Sequence, residues 1–363
     1  MAGITPEVRA LMRPSAAALE PYDPAFSPVE VILSANENNY GIPPEVKPAL
    51  AAAVAEAAWN RYPVPLAGEL REKLAAWHGV APEQVIVGNG GDELLFNFFL
   101  AFGGAGHALV SCPPTFSVYG LYASMVETPV VEVPREKDFA PNVDALVEAA
   151  RTATLVVVTS PNNPTGDLFS RAGVRRLCEA CPGIVLVDEA YIEFADPGSS
   201  VEDLLDEYEN LAVLHTFSKA FALAGARVGY VLANPAVVAA LAAVRQPYSV
   251  SVLDQAAALA AVTHRDAFQP VIQAIRQDRG RLSDMLGGLA PLGVRVWPSQ
   301  ANFICTRVPH AHDVWRCLRD EHSILVRDFS STPGLADCLR ITVGKPEEND
   351  LVVAALKSIL KGE

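Results

Sequence analysis

Basic residues are in short supply. Lysine and arginine number 28 against 42 aspartates and glutamates, a formal net charge of −14. Nucleic acids are held mainly by clustered cations, so no such partner is expected. Charged residues of either sign make up only 19% of the chain, while 50% is hydrophobic. That balance is too apolar for a disordered chain and ample for a large core. No apolar run approaches the roughly 20 residues that span a bilayer, which leaves no membrane partner to expect. There is no internal repeat, no low-complexity linker and no basic helix-turn-helix extension of the kind that ligand-sensing regulators carry.

Cysteine is sparse as well, with 6 residues. Only Cys178 and Cys181 lie close together, in "CEAC". A redox pair of that spacing needs an exposed helix N-terminus to lower its thiol pKa. Here the pair closes a helix before Pro182, and two partly buried thiols are expected. Cys305, Cys317 and Cys338 lack the paired spacing of a zinc site, so no metal is expected. The opening stretch "MAGITPEVRALMRPSAAALEPY" has no long apolar segment and carries Glu7 and Glu20, which count against a transit peptide. A cytoplasmic protein is the resulting expectation.

What is present is an alternation. Short β-branched runs ("VIV" at 85–87, "ALVSC" at 108–112, "LVVVTS" at 155–160, "IVLVDE" at 184–189, "LAVLHT" at 211–216, "VGYVLA" at 228–233) are separated by longer Ala/Leu-rich helical patterns. Continuous apolar strands between helices predict an α/β fold with a mostly parallel sheet covered on both faces. After about Gln246 a long helical region leads to shorter strands at "GVRVW", "ANFICTR", "SILVRD" and "CLRITVG", the pattern of a smaller α+β domain. The expected organisation is an N-terminal arm over 1–30, a large domain over 31–245 and a small domain over 246–363, with the arm packed on the small domain or on another subunit.

Each apolar strand runs straight into polar, chemically capable residues: "GNGGDE", "PPTFSVYG", "PNNPTG", "DEAY" and "HTFSK". In open parallel sheets the ligand crevice lies beyond the carboxyl ends of the strands, so all five segments point to one place. Gly90 and Gly91 open a helix, and bare backbone N–H groups at a helix N-terminus suit a phosphate. Asp92 and Glu93 complement the helix dipole, so cations elsewhere must offset their repulsion of an anion. Arg227, Thr216 and Ser218 can complete that cup. Asp188, at a strand end, is either a structural hydrogen-bond acceptor or a carboxylate held against a cationic ring nitrogen. Tyr191 can reach a phenolic oxygen, and an Asn of "SPNNPTG" can donate to the same oxygen. One of Phe116 and Tyr119 can stack on a heteroaromatic ring, although core packing explains both equally well. Lys219 then falls beside an anchored aldehyde, where an amine with a lowered pKa condenses with the carbonyl. Pyridoxal 5′-phosphate needs those parts: a phosphate cup, a carboxylate for its ring nitrogen, a partner for its phenolic oxygen and a lysine.

The chain resembles, from end to end, the fold-type I pyridoxal-phosphate aminotransferases of class I/II, and within them the histidinol-phosphate aminotransferases. The resemblance is carried by "SANENNYG", "RYP", "GNGGDEL", "CPPTFSVY", "SPNNPTG", "VDEAY", "TFSKAFALAGARVGY", "SQANF", "ILVRDFS" and "CLRITVG". It implies a seven-stranded, mostly parallel sheet in the large domain. It implies that Lys219 bonds to the cofactor and then serves as general base and acid. Asp188 would pair with the ring nitrogen; Tyr191 and Asn163 would hold the 3′-oxygen. Gly90, Gly91, Asp92, Thr216, Ser218 and Arg227 would hold the phosphate, and Phe116 would stack on the ring. Tyr62 would reach the phosphate of a neighbouring subunit, which makes the active unit a homodimer. Arg327 and Arg340 would bind the anionic end of the substrate, beside Asn36 and Tyr40. Asn39, Gly91 and Ser249 depart from the family's usual Pro, Ser or Ala, and Asn. The implied reaction moves the amino group of L-histidinol phosphate to 2-oxoglutarate; aromatic amino-acid transamination and threonine-phosphate decarboxylation are the alternatives.

Overall fold

The computed structural model describes residues 4–17, 19 and 27–362. Its strands in chain order are β1 (Val31–Leu33), β2 (Val85–Asn89), β3 (Leu109–Ser111), β4 (Val130–Glu132), β5 (Leu155–Thr159), β6 (Ile184–Asp188), β7 (Leu211–Thr216), β8 (Val228–Ala233), β9 (Arg295–Val296), β10 (Phe303–Arg307), β11 (Ile324–Asp328) and β12 (Cys338–Thr342). They form two sheets. The larger has seven strands in the order β2-β8-β7-β6-β5-β3-β4. Its β4, β3, β5, β6 and β7 are mutually parallel, and β8 alone runs antiparallel to its neighbours β7 and β2.

The central strands are buried along their whole length, as their unbroken Val/Leu/Ile runs require. One apolar layer sets Ile86, Leu94 and Phe98 against Leu214 and Val231. The opposite layer packs Val156, Val174, Leu177, Val185 and Val213. Helix Arg171–Ala180 ends before Pro182; Cys178 in its last turn and Cys181 at its C-cap are both buried. Burial pushes the Cys178 thiol up to about 12, so the pair is poorly suited to redox exchange.

The smaller sheet has the order β1-β11-β12-β10-β9. β1 pairs in parallel with β11, Val31 opposite Ile324. Residues 31–33 therefore belong to this sheet and not to the larger one. The helices Val252–Thr263 and Gln269–Gly287 occupy the long helical region that precedes it. In the described part of the N-terminal segment, Arg13 donates to the Met125 carbonyl at 2.8 Å and Ser15 to Glu127 at 3.1 Å. These contacts lie on the larger unit, next to helix Val118–Met125. Residues 1–3, 18 and 20–26 of the expected arm lie outside the described residues. No described helix is long and apolar enough to cross a membrane.

Candidate active site

The carboxyl ends of β5, β6 and β7 and the turn after β2 open into one cavity of about 440 Å³, closed on its far side by β11 and β12. Its floor comes from segments spread across the chain because parallel strands present their C-termini on the same edge.

One end is an anion cup. Helix Gly90–Phe102 begins there, directing unpaired backbone N–H groups and its positive dipole end into the cavity. Gly90 has φ +76, and a Cβ on it would come within 2.6 Å of Arg227 Nη2. Across the sheet a Cβ on Gly229 would meet the Gly91 nitrogen at 2.8 Å. Both glycines therefore allow the turn to lie flat on β8 beside the guanidinium. Arg227 itself has φ 49, a left-handed conformation unfavourable for a side-chain-bearing residue. It aims Nη2 at Asp92 Oδ2 at 2.9 Å and Nη1 at the Ala224 carbonyl at 3.1 Å and at Ser218 Oγ at 3.4 Å. Thr216 Oγ1 donates to Ser218 Oγ at 3.0 Å.

The centre is a buried carboxylate. Asp188, 4% exposed at the end of β6, accepts from the Tyr119 hydroxyl at 2.6 Å and from the Ala190 amide at 3.1 Å. Burial outweighs those donors and lifts its pKa to about 6. The Tyr191 hydroxyl accepts from Asn36 Nδ2 at 3.0 Å and from Asn163 Nδ2 at 3.4 Å. Burial raises the Tyr191 pKa, against the pull of Arg340 and Asn36.

Lys219 reaches over Tyr191, its Nζ 5.9 Å from the ring centroid, and donates to the Ala35 carbonyl at 2.8 Å. Desolvation, with the Arg340 charge second, lowers its pKa to about 8. A lysine so placed is partly neutral near physiological pH and available as nucleophile and base.

The other end is cationic. Arg327 on β11 and Arg340 on β12 are register partners, and both line the cavity. Arg340 Nη1 donates to Asn163 Oδ1 at 2.6 Å and Nη2 to the Ser34 carbonyl at 2.5 Å. Its guanidinium lies 5.4 Å from the Phe303 ring and 5.5 Å from the Phe329 ring.

Gly91, Asp92, Phe116, Asn163, Asn36 and the residues just described are thus brought together, with Gly90 beneath Arg227. Two expected site residues lie elsewhere. Tyr40 does not line the cavity. Its hydroxyl donates to Asp278 on helix Gln269–Gly287. The turn is pinned by Asn38 Nδ2 on the Ala220 carbonyl at 3.1 Å and by Asn39 Nδ2 on Glu348 at 2.9 Å, which fixes Tyr40 facing that helix. Within this chain Tyr40 is turned to that helix and not to the cavity. Tyr62 is 81% exposed, stacked on Tyr248 at 4.7 Å, and outside the cavity. Conversely, Tyr119, Thr159 and the Ala35 carbonyl take part in the site without having been assigned to it; only a strand-end hydroxyl in "LVVVTS" hinted at Thr159.

The residues present fit pyridoxal 5′-phosphate on two observations. A Cβ on Gly90 would come within 2.6 Å of the Arg227 guanidinium, so the cup is a side-chain-free cradle at a helix N-terminus facing a cation, which suits a phosphate. Asp188 is buried with neutral donors on both oxygens, and its raised pKa calls for a cation such as a protonated ring nitrogen.

Comparison with known proteins agrees with this geometry. Residues 29–356 match the family "Aminotransferase class I and II". The histidinol-phosphate aminotransferase of Thermococcus gammatolerans is 38% identical over 346 residues, covering 95% of this chain and 96% of that protein. The crystal structure of histidinol-phosphate aminotransferase from Sinorhizobium meliloti in complex with pyridoxal-5′-phosphate superposes with a TM-score of 0.88 at 27% identity, over 97% of this chain and 98% of that one. L-Threonine-O-3-phosphate decarboxylase from Porphyromonas gingivalis has the same fold, with a TM-score of 0.80 at 26% identity, over 92% of this chain and 100% of that one.

Proposed function

The chain belongs to the aminotransferases of class I and II, and from that membership we propose that it moves the amino group of L-histidinol phosphate to 2-oxoglutarate with pyridoxal 5′-phosphate as cofactor. The observation that carries the choice of donor is the register pairing of Arg327 with Arg340 at the cavity wall opposite the anion cup. Two planar guanidiniums suit a phosphate dianion better than one does. The same pair suits the second carboxylate of glutamate and 2-oxoglutarate in the return half-reaction.

The bound cofactor supplies an electron sink for charge developing at the donor's reacting carbon. The protein's part is to place and protonate. Gly90, Gly91, Asp92, Thr216, Ser218 and Arg227 hold the phosphate, the first three through the backbone. Asp188 keeps a positive charge on the ring nitrogen, Tyr191 and Asn163 hold the 3′-oxygen, and Phe116 lies against the ring. Lys219 Nζ, in its neutral form, would take the proton from the donor's nitrogen-bearing carbon and hold it for return on the far side of that nitrogen, two atoms away. The apolar walls around Phe116, Leu95 and Phe329 exclude water from that exchange.

The active unit is a homodimer in this reading, with Tyr62 reaching the anion cup of the second copy. Support comes from its position: Tyr62 at 81%, Trp59 at 68% and Val64 at 63% exposure form an apolar patch around a tyrosine that has no role in its own cavity. Sedimentation tests the dimer. We place the enzyme in the cytoplasm, a reading supported by its six cysteines, all free thiols.

The test of the donor is the absorption spectrum of the cofactor-loaded protein mixed with L-histidinol phosphate and no keto acid. Conversion to the pyridoxamine spectrum at low donor concentration is expected. No conversion, followed by conversion with phenylalanine, moves the protein to the aromatic aminotransferases. Release of carbon dioxide from threonine phosphate makes it a decarboxylase.

A further inference from the structure

Beside Asp188 runs a line of hydroxyls that the proposed reaction does not use; Thr115 and Thr159 line the cavity and Tyr119 lies outside its lining. Tyr119, on helix Val118–Met125, is 1% exposed. Its hydroxyl lies 2.6 Å from Asp188 Oδ2 and 2.7 Å from Thr159 Oγ1. Thr159 Oγ1 lies 3.2 Å from Thr115 Oγ1, which donates to Asn162 Oδ1 at 2.7 Å. The amide of Asn162 is oriented by its own donations, to the Pro114 carbonyl at 3.0 Å and to Thr165 Oγ1 at 2.6 Å. The Asn162 oxygen therefore faces Thr115, and the Thr115 proton is committed to it.

Each hydroxyl has one proton to give, so the line has two consistent settings. With Asp188 ionised, Thr159 donates to Tyr119 and Tyr119 donates to Asp188. With Asp188 protonated, Asp188 donates to Tyr119, Tyr119 to Thr159, and Thr159 to Thr115. In the second setting every proton in the line has an acceptor; in the first the charged carboxylate receives a phenolic donor. No heavy atom needs to move between the two.

We propose that Tyr119 is the positioning residue for Asp188, and that with Thr159 and Thr115 it forms a reversible hydrogen-bond line that holds the carboxyl group in one place in either protonation state. The inference rests on the reading of Asp188 as the partner of the cofactor's ring nitrogen. It gives the site a way to keep that carboxylate aimed while its charge depends on what lies opposite. The other ionisable groups facing the cavity are Glu37, Asp92, Tyr191, Lys219 and the arginines 227, 327 and 340. Tyr119→Phe alters none of these side chains and removes only the hydroxyl, so a shift in the variant is expected to report on the phenol.

The experiment follows retention of pyridoxal phosphate by the loaded protein against pH, by its absorbance after dialysis, with turnover recorded in parallel. Retention should fail on the acid side as Asp188 takes up a proton. In Tyr119→Phe the acid midpoint should rise by about one pH unit, a tenfold change in the ionisation equilibrium, because the hydrogen bond that favours the carboxylate is gone. In Thr159→Val it should fall, because Tyr119 then has no acceptor when Asp188 is protonated, and a buried orphan donor is the costlier state. An unmoved midpoint in a folded Tyr119→Phe overturns the proposal. So does an upward shift, or no shift, in Thr159→Val, and that variant decides alone if Tyr119→Phe does not fold. Asp188→Asn separates the two levels of the argument. If it retains cofactor and activity at the normal level, the reading of Asp188 fails; if it is severely impaired while Tyr119→Phe is silent, only the hydroxyl line fails.

Discussion

Lys219 Nζ is held 2.8 Å from the carbonyl oxygen of Ala35, a residue 184 positions earlier in the chain. The contact joins the site lysine to the segment that leads from β1 of the smaller sheet, and it fixes the direction of the amine before any substrate arrives. Its pKa of about 8 reflects desolvation first and the Arg340 charge second. For a base whose folded pKa is depressed, the neutral form gains as pH rises through that value. The rate at which cofactor-free protein captures pyridoxal phosphate should therefore climb between about pH 7 and pH 9 and then level off. Lys219→Ala should remove turnover while leaving the circular dichroism spectrum and the thermal transition essentially unchanged. Normal turnover in that variant would sink the catalytic assignment.

In the proposed function Arg227 holds the cofactor's phosphate end. It pairs with Asp92 at 2.9 Å and is fixed by its left-handed backbone and the Ala224 carbonyl. Arg227→Ala removes the cation and leaves the carboxylate facing an incoming phosphate. A loss of pyridoxal-phosphate affinity of about 100-fold is expected, of the order of a charge-assisted hydrogen bond with its repulsion uncovered. Arg227→Lys should recover only part of it, because an ammonium cannot serve Asp92, Ser218 and the phosphate in one plane. Equilibrium titration with the cofactor measures both, and equal affinities in Lys and Ala variants would leave geometry without a role.

The centre of the larger sheet was legible because its strands are apolar runs that end in distinctive polar segments; "LVVVTS", "IVLVDE" and "LAVLHT" became β5, β6 and β7. β4 went unread because all three of its residues are exposed at a sheet edge, and an edge triplet carries no periodicity. β1 is equally short, and its parallel partner lies nearly 300 positions away, so nothing local marks which sheet it joins. The gathering of Lys219, Asp188 and Arg227 in one cavity was legible because each sits at or beside a strand terminus. The direction of Tyr40 was not legible, since its neighbours Asn38 and Asn39 turn it toward Asp278, and only the fold brings that helix near. Tyr119 stayed ambiguous for the opposite reason: a phenol beside a core-like run looks the same whether or not a carboxylate waits behind it.

In the proposed function Arg327 separates phosphorylated from unphosphorylated donors. It shares the cavity wall with Arg340, which is already engaged by Asn163 and the Ser34 carbonyl. Arg327→Ala should lower kcat/KM for L-histidinol phosphate by about 10- to 100-fold, the value of one lost guanidinium–phosphate contact. Phenylalanine, whose ring needs no such partner, should lose much less. Steady-state kinetics on the two donors check this, and equal losses would mean that the phosphate is bound elsewhere.

Glu193 lies outside the reaction but inside the same structural unit, one residue past Ile192 in the turn that follows Tyr191. Its Oε2 is buried without a hydrogen-bond partner. Burial, with Glu202 adding to it, pushes its pKa up to about 8. An acid whose folded pKa is raised favours folding below its unfolded value, about 4.5 here, and loses that contribution as pH rises through about 8. Glu193→Gln carries no charge at any pH and keeps the contribution throughout. The variant should match the parent near pH 5 and exceed its stability by about 1–3 kcal/mol at pH 9, less than the full shift implies because the residue is partly hydrated. Glu189, also raised to about 8 by burial, is unchanged in the variant, so a reduced alkaline slope should persist. Urea unfolding at the two pH values measures the difference. A gain of the same size at both would assign the effect to packing and remove ionisation from the account.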